Sequence, residues 1–145
     1  GDQLGKWQAS RHAQAYETLA SDKAKELATA RGIADPQQAE ECLTCHVTAY
    51  GADSTHFATP RAGKEGFVVA HGVQCEACHG PGSDYKSRKA MKDQEASIAA
   101  GLVIPDEALC LTCHNDKSPT FTGFDYEEYL AKVSHPNPKA AAAAE

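Results

Sequence analysis

The sequence predicts a mainly α fold in which short helices are joined by long loops. Apolar residues recur at three- and four-residue steps near both ends of the chain, which is the spacing of amphipathic helices. Gly and Pro interrupt the middle of the chain, where they favour loops. Large apolar side chains are scarce, with one Trp, one Met and four Phe among 145 residues. We therefore expect something other than side chains to fill part of the core.

Three helices are predicted in the first third of the chain. An apolar stripe over residues 7–20 indicates one helix, and His12 falls on its apolar face. Residues 21–31 indicate a second helix, with a Ser-Asp start and a Gly just beyond its end. A third is expected to begin at the Asp-Pro pair of residues 35–36 and to run on through residue 41.

Loops and short helices are predicted for the rest of the chain. The Gly-rich residues 50–74 indicate a loop with a short extended piece at 67–69. Residues 84–100 indicate a helix that stops at a Gly, and a Pro-Asp pair at 105–106 starts a short one. The last helix is predicted over residues 124–133. At this length we expect one domain over residues 1–139, and we expect the Ala-rich residues 140–145 to form a disordered tail.

All six cysteines lie in three pentapeptides of the form C-x-x-C-H. We call them the first motif (residues 42–46), the second motif (residues 75–79) and the third motif (residues 110–114). This pattern is the attachment signature of c-type haem, because two thiols on one helical turn reach the two vinyl groups of a porphyrin. The predicted thioether residues are Cys42, Cys45, Cys75, Cys78, Cys110 and Cys113. The histidine that ends each motif is the predicted proximal ligand, giving His46, His79 and His114.

Other uses of the cysteines explain the pattern less well. A four-thiolate zinc site usually has about 15–20 residues between its two pairs, whereas Cys45 and Cys75 are farther apart and a third pair is left over. Disulfides would not explain a histidine after each pair, and a thioredoxin-like pair needs a βαβ setting. Three covalent haems would also fill the part of the core for which the chain has too few large apolar side chains. The predicted architecture is thus a small multihaem c-type cytochrome, with short helices wrapped around three haems.

Each haem iron has a second axial position, and four histidines outside the motifs are candidates for it. We predict His12, His71 and His135 as distal ligands, with His56 as a possible substitute. Met91 is discounted because lysines flank it on both sides. This count allows three haems with two imidazoles each and one histidine to spare.

Composition limits the partners and the compartment. The net charge of −6 and the absence of any run of five or six like charges argue against nucleic acid. No apolar stretch approaches the roughly 20 residues of a transmembrane helix. Thioether attachment takes place outside the cytoplasmic membrane, so we expect a periplasmic or extracellular protein whose signal peptide has been removed.

Three stretches give the sequence a resemblance to a known family. They are WQASRHAQA at residues 7–15, CLTCHV at residues 42–47 and GVQCEACHGPG at residues 72–82. With them the chain resembles the cytochrome c-554 family of multihaem c-type cytochromes, here as a trihaem member. The resemblance implies that His12 is the distal ligand of the haem on the second motif and His135 that of the haem on the third.

The resemblance also marks two departures. Family members usually carry another C-x-x-C-H before the Trp and a histidine after the Gly-Pro-Gly, and this chain has neither. A haem and its distal ligand would have been lost together, which favours a trihaem protein. In a tetrahaem relative the haem that corresponds to Cys42/Cys45 is five-coordinate, so His71 is the predicted means of closing it here.

The predicted function is electron transfer through three haems rather than catalysis. The expected partners are a redox donor and acceptor, such as an oxidoreductase or a membrane quinol complex. Two alternatives remain open. One is a small haem enzyme or sensor that uses a five-coordinate haem at Cys42/Cys45 for nitric oxide, nitrite or peroxide chemistry. The other is a subunit of a larger multihaem complex or filament.

Overall fold

The computed structural model of the chain describes residues 2–53 and 68–135. Within these residues the protein is helical and contains no β-strand, as the sequence predicts. The α-helices are α1 (Gln3–Gln8), α2 (Ala15–Thr18), α3 (Asp22–Thr29), α4 (Glu40–His46), α5 (Cys75–His79), α6 (Gly82–Tyr85), α7 (Gln94–Ala99), α8 (Glu107–Cys110) and α9 (Tyr126–Val133). Two short 3₁₀ helices span Val69–His71 and Ala90–Lys92.

The predicted continuous helix over residues 7–20 is wrong. Helix α1 ends at Gln8 and α2 begins at Ala15, so His12 lies in the turns between them and not on a helix face. The carbonyl of His12 accepts a hydrogen bond from the backbone N–H of Val73 at 2.9 Å. The same oxygen accepts from the N–H of Ala15 at 3.2 Å, so a turn bond and a bond to a distant segment take the place of the bond four residues on that would continue the helix.

Helix α3 confirms the second prediction because its start signal is local. The Ser21 hydroxyl accepts from the N–H of Ala24 at 3.2 Å, and the helix ends at Thr29, two residues earlier than predicted. The third prediction is wrong about its start. Asp35 accepts from the N–H of Gln37 in a separate turn, and α4 begins only at Glu40.

The middle of the chain is more broken than predicted. Val68 is extended as predicted, but Val69 already belongs to a 3₁₀ helix, so the extended piece expected at 67–69 is wrong at its last residue. Residue 67 lies outside the described residues. The single helix expected over 84–100 is divided into α6, a 3₁₀ turn and α7. The cause is Asp93, whose carboxylate caps α7 by accepting from the N–H groups of Glu95 and Ala96.

The two C-terminal helices confirm their predictions. Asp106 accepts from the N–H of Leu109 at 2.9 Å at the start of α8. Asp125 does the same for Glu128 at 2.9 Å at the start of α9. Helix α9 therefore begins two residues later than expected, at the first residue after its carboxylate cap.

The core made by side chains is small. Among the described residues the buried apolar side chains are Leu19, Ala28, Leu43, Val47 and Ala90. Leu19, Leu43 and Val47 form one cluster, against which Tyr16 and Cys42 pack. This cluster joins α2 to α4 and so fixes the first motif against the N-terminal segment. Its size agrees with the scarcity of large apolar side chains in the sequence.

Candidate functional site

The three motifs lie on helical turns that carry both thiols on one side. Helix α4 ends at His46, α5 spans the whole second motif, and α8 ends inside the third, whose next residues continue as turns. Cysteines three positions apart on such a turn lie on one face. All six cysteines lie in the described residues and none is in a disulfide. The donor set therefore fits a porphyrin held by two thioethers and one imidazole at each motif.

The motifs converge on one another. Burial raises the pKa of the Cys113 thiol, and the neighbouring Cys45 thiol adds to the rise. Burial also raises the pKa of Cys78, with a further contribution from Cys110. The third motif thus lies close to both of the others. A cavity of about 250 Å³ opens between the motifs and is lined by residues of all three, Ala77 among them.

The structure brings four of the predicted ligands together in two pairs. The ring centres of His12 and His114 are 6.0 Å apart, and those of His79 and His135 are 5.7 Å apart. Two imidazoles on opposite sides of one haem iron have ring centres about 6 Å apart, because each Fe–N bond is about 2 Å long. Both pairs therefore have the spacing that one shared iron requires.

These ring contacts differ from the pairing that the resemblance implied. The His12 ring lies near His114 of the third motif and the His135 ring lies near His79 of the second, and the iron that each would serve stays a prediction. The pairing depends on how the chain folds back between the motifs, which no local pattern in the sequence reports.

Aromatic rings cover His114, one member of the pair that it forms with His12. Phe124 stacks on His114 with ring centres 4.9 Å apart and an interplanar angle of 26°, and Tyr129 lies 5.9 Å from the same ring. Burial lowers the pKa of His114, and burial together with the nearby His114 lowers the pKa of His12. Both rings are therefore held in the neutral form, which is the form that binds a metal.

Two proximal imidazoles are oriented by backbone carbonyls. His46 Nδ1 lies 2.7 Å from the carbonyl oxygen of Ala15, and His79 Nδ1 lies 3.0 Å from that of Val103. A carbonyl only accepts, so Nδ1 donates its proton and Nε2 keeps a lone pair for iron. His114 makes no such side-chain bond within residues 2–53 and 68–135, and the Phe124 ring holds it instead.

The contact of the His12 backbone with Gly72 and Val73, which we call the seat of His12, is a feature that the sequence did not predict. Val73 donates its N–H to the His12 carbonyl at 2.9 Å, and its own carbonyl accepts from Trp7 Nε1 at 2.8 Å. Gly72 has φ +66°, and a Cβ there would lie 2.6 Å from the His12 carbonyl oxygen. Only Gly permits this approach. In the sequence, the Gly at position 72, just before the second motif, was the feature that could have indicated this close contact.

Thr48 is a second residue that sequence reasoning missed. It is buried, with 4% of its surface exposed. Its hydroxyl accepts from the N–H of Gln74 at 2.6 Å and donates to the carbonyl of Gly72 at 3.3 Å. Because Thr48 follows the first motif and Gln74 precedes the second, this side chain fixes the two motifs relative to each other.

The predicted distal ligand of the first haem is less well defined. His71 ends the 3₁₀ helix that packs against α2, the helix whose Ala15 carbonyl binds His46. His71 thus lies against the same helix as His46, and its ligand role stays a prediction. His56 lies outside the described residues.

Within the described ranges, no three His, Cys, Asp or Glu side chains converge on a point where protein ligands alone could hold a metal ion. A structural zinc centre would need four such ligands.

The motif turns and the facing imidazoles define a class of protein, the small c-type cytochromes. Proteins of this class hold haem covalently and transfer electrons through it. The family described as "Cytochrome c554 and c-prime" matches residues 1–80, which is more than half of the chain, and the protein belongs to that family. The third motif and α9 follow the matched residues.

A named relative matches part of the chain. Cytochrome c-554 of Nitrosomonas europaea is 31% identical to this chain over 88 residues, which is 58% of this chain and 35% of that protein. The match thus covers about a third of the relative's length. No solved structure matches the chain. In the described part of the chain, no helix has the length and apolarity needed to cross a bilayer.

Proposed function

We propose that the protein transfers single electrons between redox partners through three covalently bound haems. The observation that supports this most directly is the spacing of the two imidazole pairs, 6.0 Å and 5.7 Å between ring centres. Each pair matches the separation expected across one iron with two imidazole ligands. Haem iron, when bound in this way, takes up and releases one electron.

Each motif would hold one haem with its own residues. At the first motif these are Cys42, Cys45 and His46; at the second Cys75, Cys78 and His79, with His135 as the distal ligand; at the third Cys110, Cys113 and His114, with His12 as the distal ligand. His71 is the proposed distal ligand at the first motif.

The surroundings of these ligands suit electron transfer rather than catalysis. Two imidazoles at one iron leave no position for a substrate. The carbonyls of Ala15 and Val103 hold the rings of His46 and His79 in fixed orientations. Phe124 does the same for His114. Ligands that keep one geometry in both oxidation states make each one-electron step fast, because little has to reorganise.

We further propose a periplasmic or extracellular location with separate donor and acceptor proteins. Thioether attachment outside the cytoplasm supports the location. An oxidoreductase or a membrane quinol complex is the kind of partner that such a carrier serves. Membership of a larger multihaem assembly is compatible with the same ligands.

A second candidate function concerns the first motif. The cavity of about 250 Å³ borders this motif through Thr44, Cys45 and Val47, so there is space beside its haem for a small molecule. An open iron at this motif would bind a ligand such as nitric oxide. It would make the protein a haem enzyme or sensor in addition to a carrier.

Two measurements on the native protein test these proposals. Intact mass is expected to equal that of the polypeptide plus three haems, and the spectrum is expected to be that of low-spin haem. A colourless protein with the bare polypeptide mass would refute the main proposal. Carbon monoxide added to the reduced protein is expected to leave the spectrum unchanged. A shift for one haem in three would establish the open iron at the first motif.

A further inference from the structure

Positive charge is concentrated in one short segment of this acidic protein. Residues 86–92, with the sequence KSRKAMK, hold four of the 14 Lys and Arg residues and none of the 20 Asp and Glu residues. The whole chain has a net charge of −6. We call residues 86–92 the basic segment. Its charge has the opposite sign to that of the rest of the molecule.

The charges of the basic segment face solvent without partners. Lys86, Arg88, Lys89 and Lys92 are all exposed. None of their side chains makes an ion pair or a hydrogen bond with the described residues, although the same helical protein pairs Lys23 with Glu26 at 3.2 Å. Met91, in the middle of the segment, has 70% of its surface exposed. Arg and Met are enriched in protein interfaces, whereas Lys is depleted there and suits their polar rim.

The basic segment is held in a defined conformation. Ala90 is buried, and its carbonyl accepts from the buried Ser97 hydroxyl at 2.7 Å. The N–H of Ala90 is bound by the Ser87 hydroxyl at 3.1 Å. The Ser97 bond fixes the centre of the segment to α7, so the backbone of the segment does not have to be ordered when a partner binds, whereas its exposed side chains do.

The basic segment begins beside the second motif. The Tyr85 hydroxyl donates to the carbonyl of Gly80 at 3.2 Å, and Gly80 follows the proximal ligand His79. The carboxylate of Glu76, inside the second motif, accepts from the N–H of Gly82 at 2.5 Å. These two hydrogen bonds hold the turn that leads into the basic segment against the second motif, whose residues would carry the second haem.

We propose that the basic segment is a docking surface for an acidic redox protein, which exchanges electrons with the haem on the second motif. The inference rests on the proposed function. Charge complementarity selects an acidic partner and speeds its approach at low ionic strength. The exposed Met91 supplies an apolar contact between exposed cations of the segment. A partner seated on residues 86–92 lies against the turn that leads back to His79.

A binding experiment on the haem-loaded protein tests the surface without using electron transfer. The probe is a peptide of ten glutamates, titrated into ¹⁵N-labelled protein and followed by NMR. We expect shifts in residues 86–92 and about tenfold weaker binding for the double variant K89Q/K92Q at low ionic strength. The matched control is K23Q/K25Q on α3, which removes the same two charges from exposed positions and is expected to bind almost as wild type does.

A kinetic experiment then asks whether electrons leave at this surface. The dithionite-reduced protein is mixed with hexacyanoferrate(III), which takes one electron from a haem iron(II) and becomes hexacyanoferrate(II). We expect K89Q/K92Q to slow this reaction about three- to tenfold and K23Q/K25Q to leave it nearly unchanged. A protein that dithionite does not reduce would refute the proposed function. A protein that is reduced normally but shows no preference between the variants would refute only the docking surface.

Three further outcomes would overturn the proposal. Equal effects of the two double variants would show a response to overall charge alone. Tighter binding to vesicles of anionic lipid than to the glutamate peptide would identify the segment as a membrane-surface contact. Altered haem potentials in K89Q/K92Q with unchanged peptide binding would show that the cations neutralise the haem propionates of this chain.

Discussion

The two imidazole pairs differ in their surroundings although their spacing is nearly the same. His114 lies against Phe124 and Tyr129, and burial lowers the pKa of both His12 and His114. In the second pair His135 is exposed, and His79 is held by the carbonyl of Val103. We call the first the enclosed pair, because aromatic rings cover its His114, and the second the open pair, because its His135 faces solvent.

The difference indicates that two haems with the same kind of axial ligands, a pair of imidazoles, can favour different oxidation states in one small protein. Burial disfavours the more positive oxidised iron, and so it favours the reduced state at the third motif. A hydrogen bond from Nδ1 to a carbonyl makes the imidazole a stronger donor and favours the oxidised state at the second motif. The second motif also lies beside the basic segment. We therefore expect the open pair to exchange electrons with a partner and the enclosed pair to hold them.

The largest expected effect comes from removing one distal ligand of each pair. H12A is expected to convert one haem from low spin to high spin and to make it bind carbon monoxide, because the third-motif iron loses a ligand. H135A is expected to do the same at the second motif. Absorption spectra of the reduced proteins with and without carbon monoxide measure both.

A chain without the third attachment identifies which haem each histidine serves. In the C110A/C113A background, H12A should open no further iron, whereas H135A should still open one. If H12A opens an iron in this background, then His12 serves the second motif and the comparison between the two pairs fails.

The next largest effect is expected at the seat of His12. G72A adds a Cβ that would lie 2.6 Å from the His12 carbonyl oxygen, at a residue with φ +66°. We expect a loss of about 2–5 kcal/mol in the free energy of unfolding, from overpacking and backbone strain together. Guanidinium unfolding of the haem-loaded protein measures it.

Gly32 provides the control for G72A. It has φ +74°, and a Cβ at this residue would have nothing within 4 Å of it. G32A should therefore cost only the strain, about 1–2 kcal/mol. Equal losses for the two variants would mean that the contact between Gly72 and His12 contributes nothing.

A smaller effect is expected from the aromatic enclosure. F124A removes the ring that stacks on His114 at 4.9 Å. We expect it to lower the free energy of unfolding by about 1–2 kcal/mol and to change the electron paramagnetic resonance g-values of one haem, since the imidazole is freed to rotate. F121A is the control, because Phe121 is an exposed ring three residues away that does not stack on His114. If both variants keep the wild-type g-values, Phe124 does not orient the ligand.

The smallest effect concerns the order of reduction. We expect the third-motif haem to have a reduced-to-oxidised ratio about tenfold higher than that of the second-motif haem at the same applied potential, a difference of about 59 mV for one electron. A redox titration followed by proton NMR measures it, with the third haem identified by its proximity to the Phe124 ring. Earlier reduction of the second-motif haem would reverse the roles assigned to the two pairs.

Local signals made much of this protein predictable from its sequence. Helix starts at Ser21 and Asp106 could be predicted because each side chain caps N–H groups two or three residues away. The six cysteines and the proximal histidines could be selected because C-x-x-C-H is a local pattern. The break in the helix at His12 has no local signal, because the competing bond comes from Val73, far along the chain.

Some features that the sequence did not predict are local, such as the cap at Asp93 and the turn at Asp35. The others depend on distant parts of the chain. Which distal histidine faces which motif is decided by the path of the loops, and residue types do not report that path. The role of Thr48 is also long-range, since its hydroxyl bonds to Gln74 and Gly72. The basic segment was visible in the sequence, but its position beside the second motif required the bond from Tyr85 to Gly80.

The seat of His12 has a consequence for the way the protein is assembled. Backbone atoms of Gly72 and Val73 form that seat, so the N-terminal imidazole has no fixed place until the polypeptide has been made past residue 73. A growing chain that ends before these residues therefore leaves this histidine unanchored.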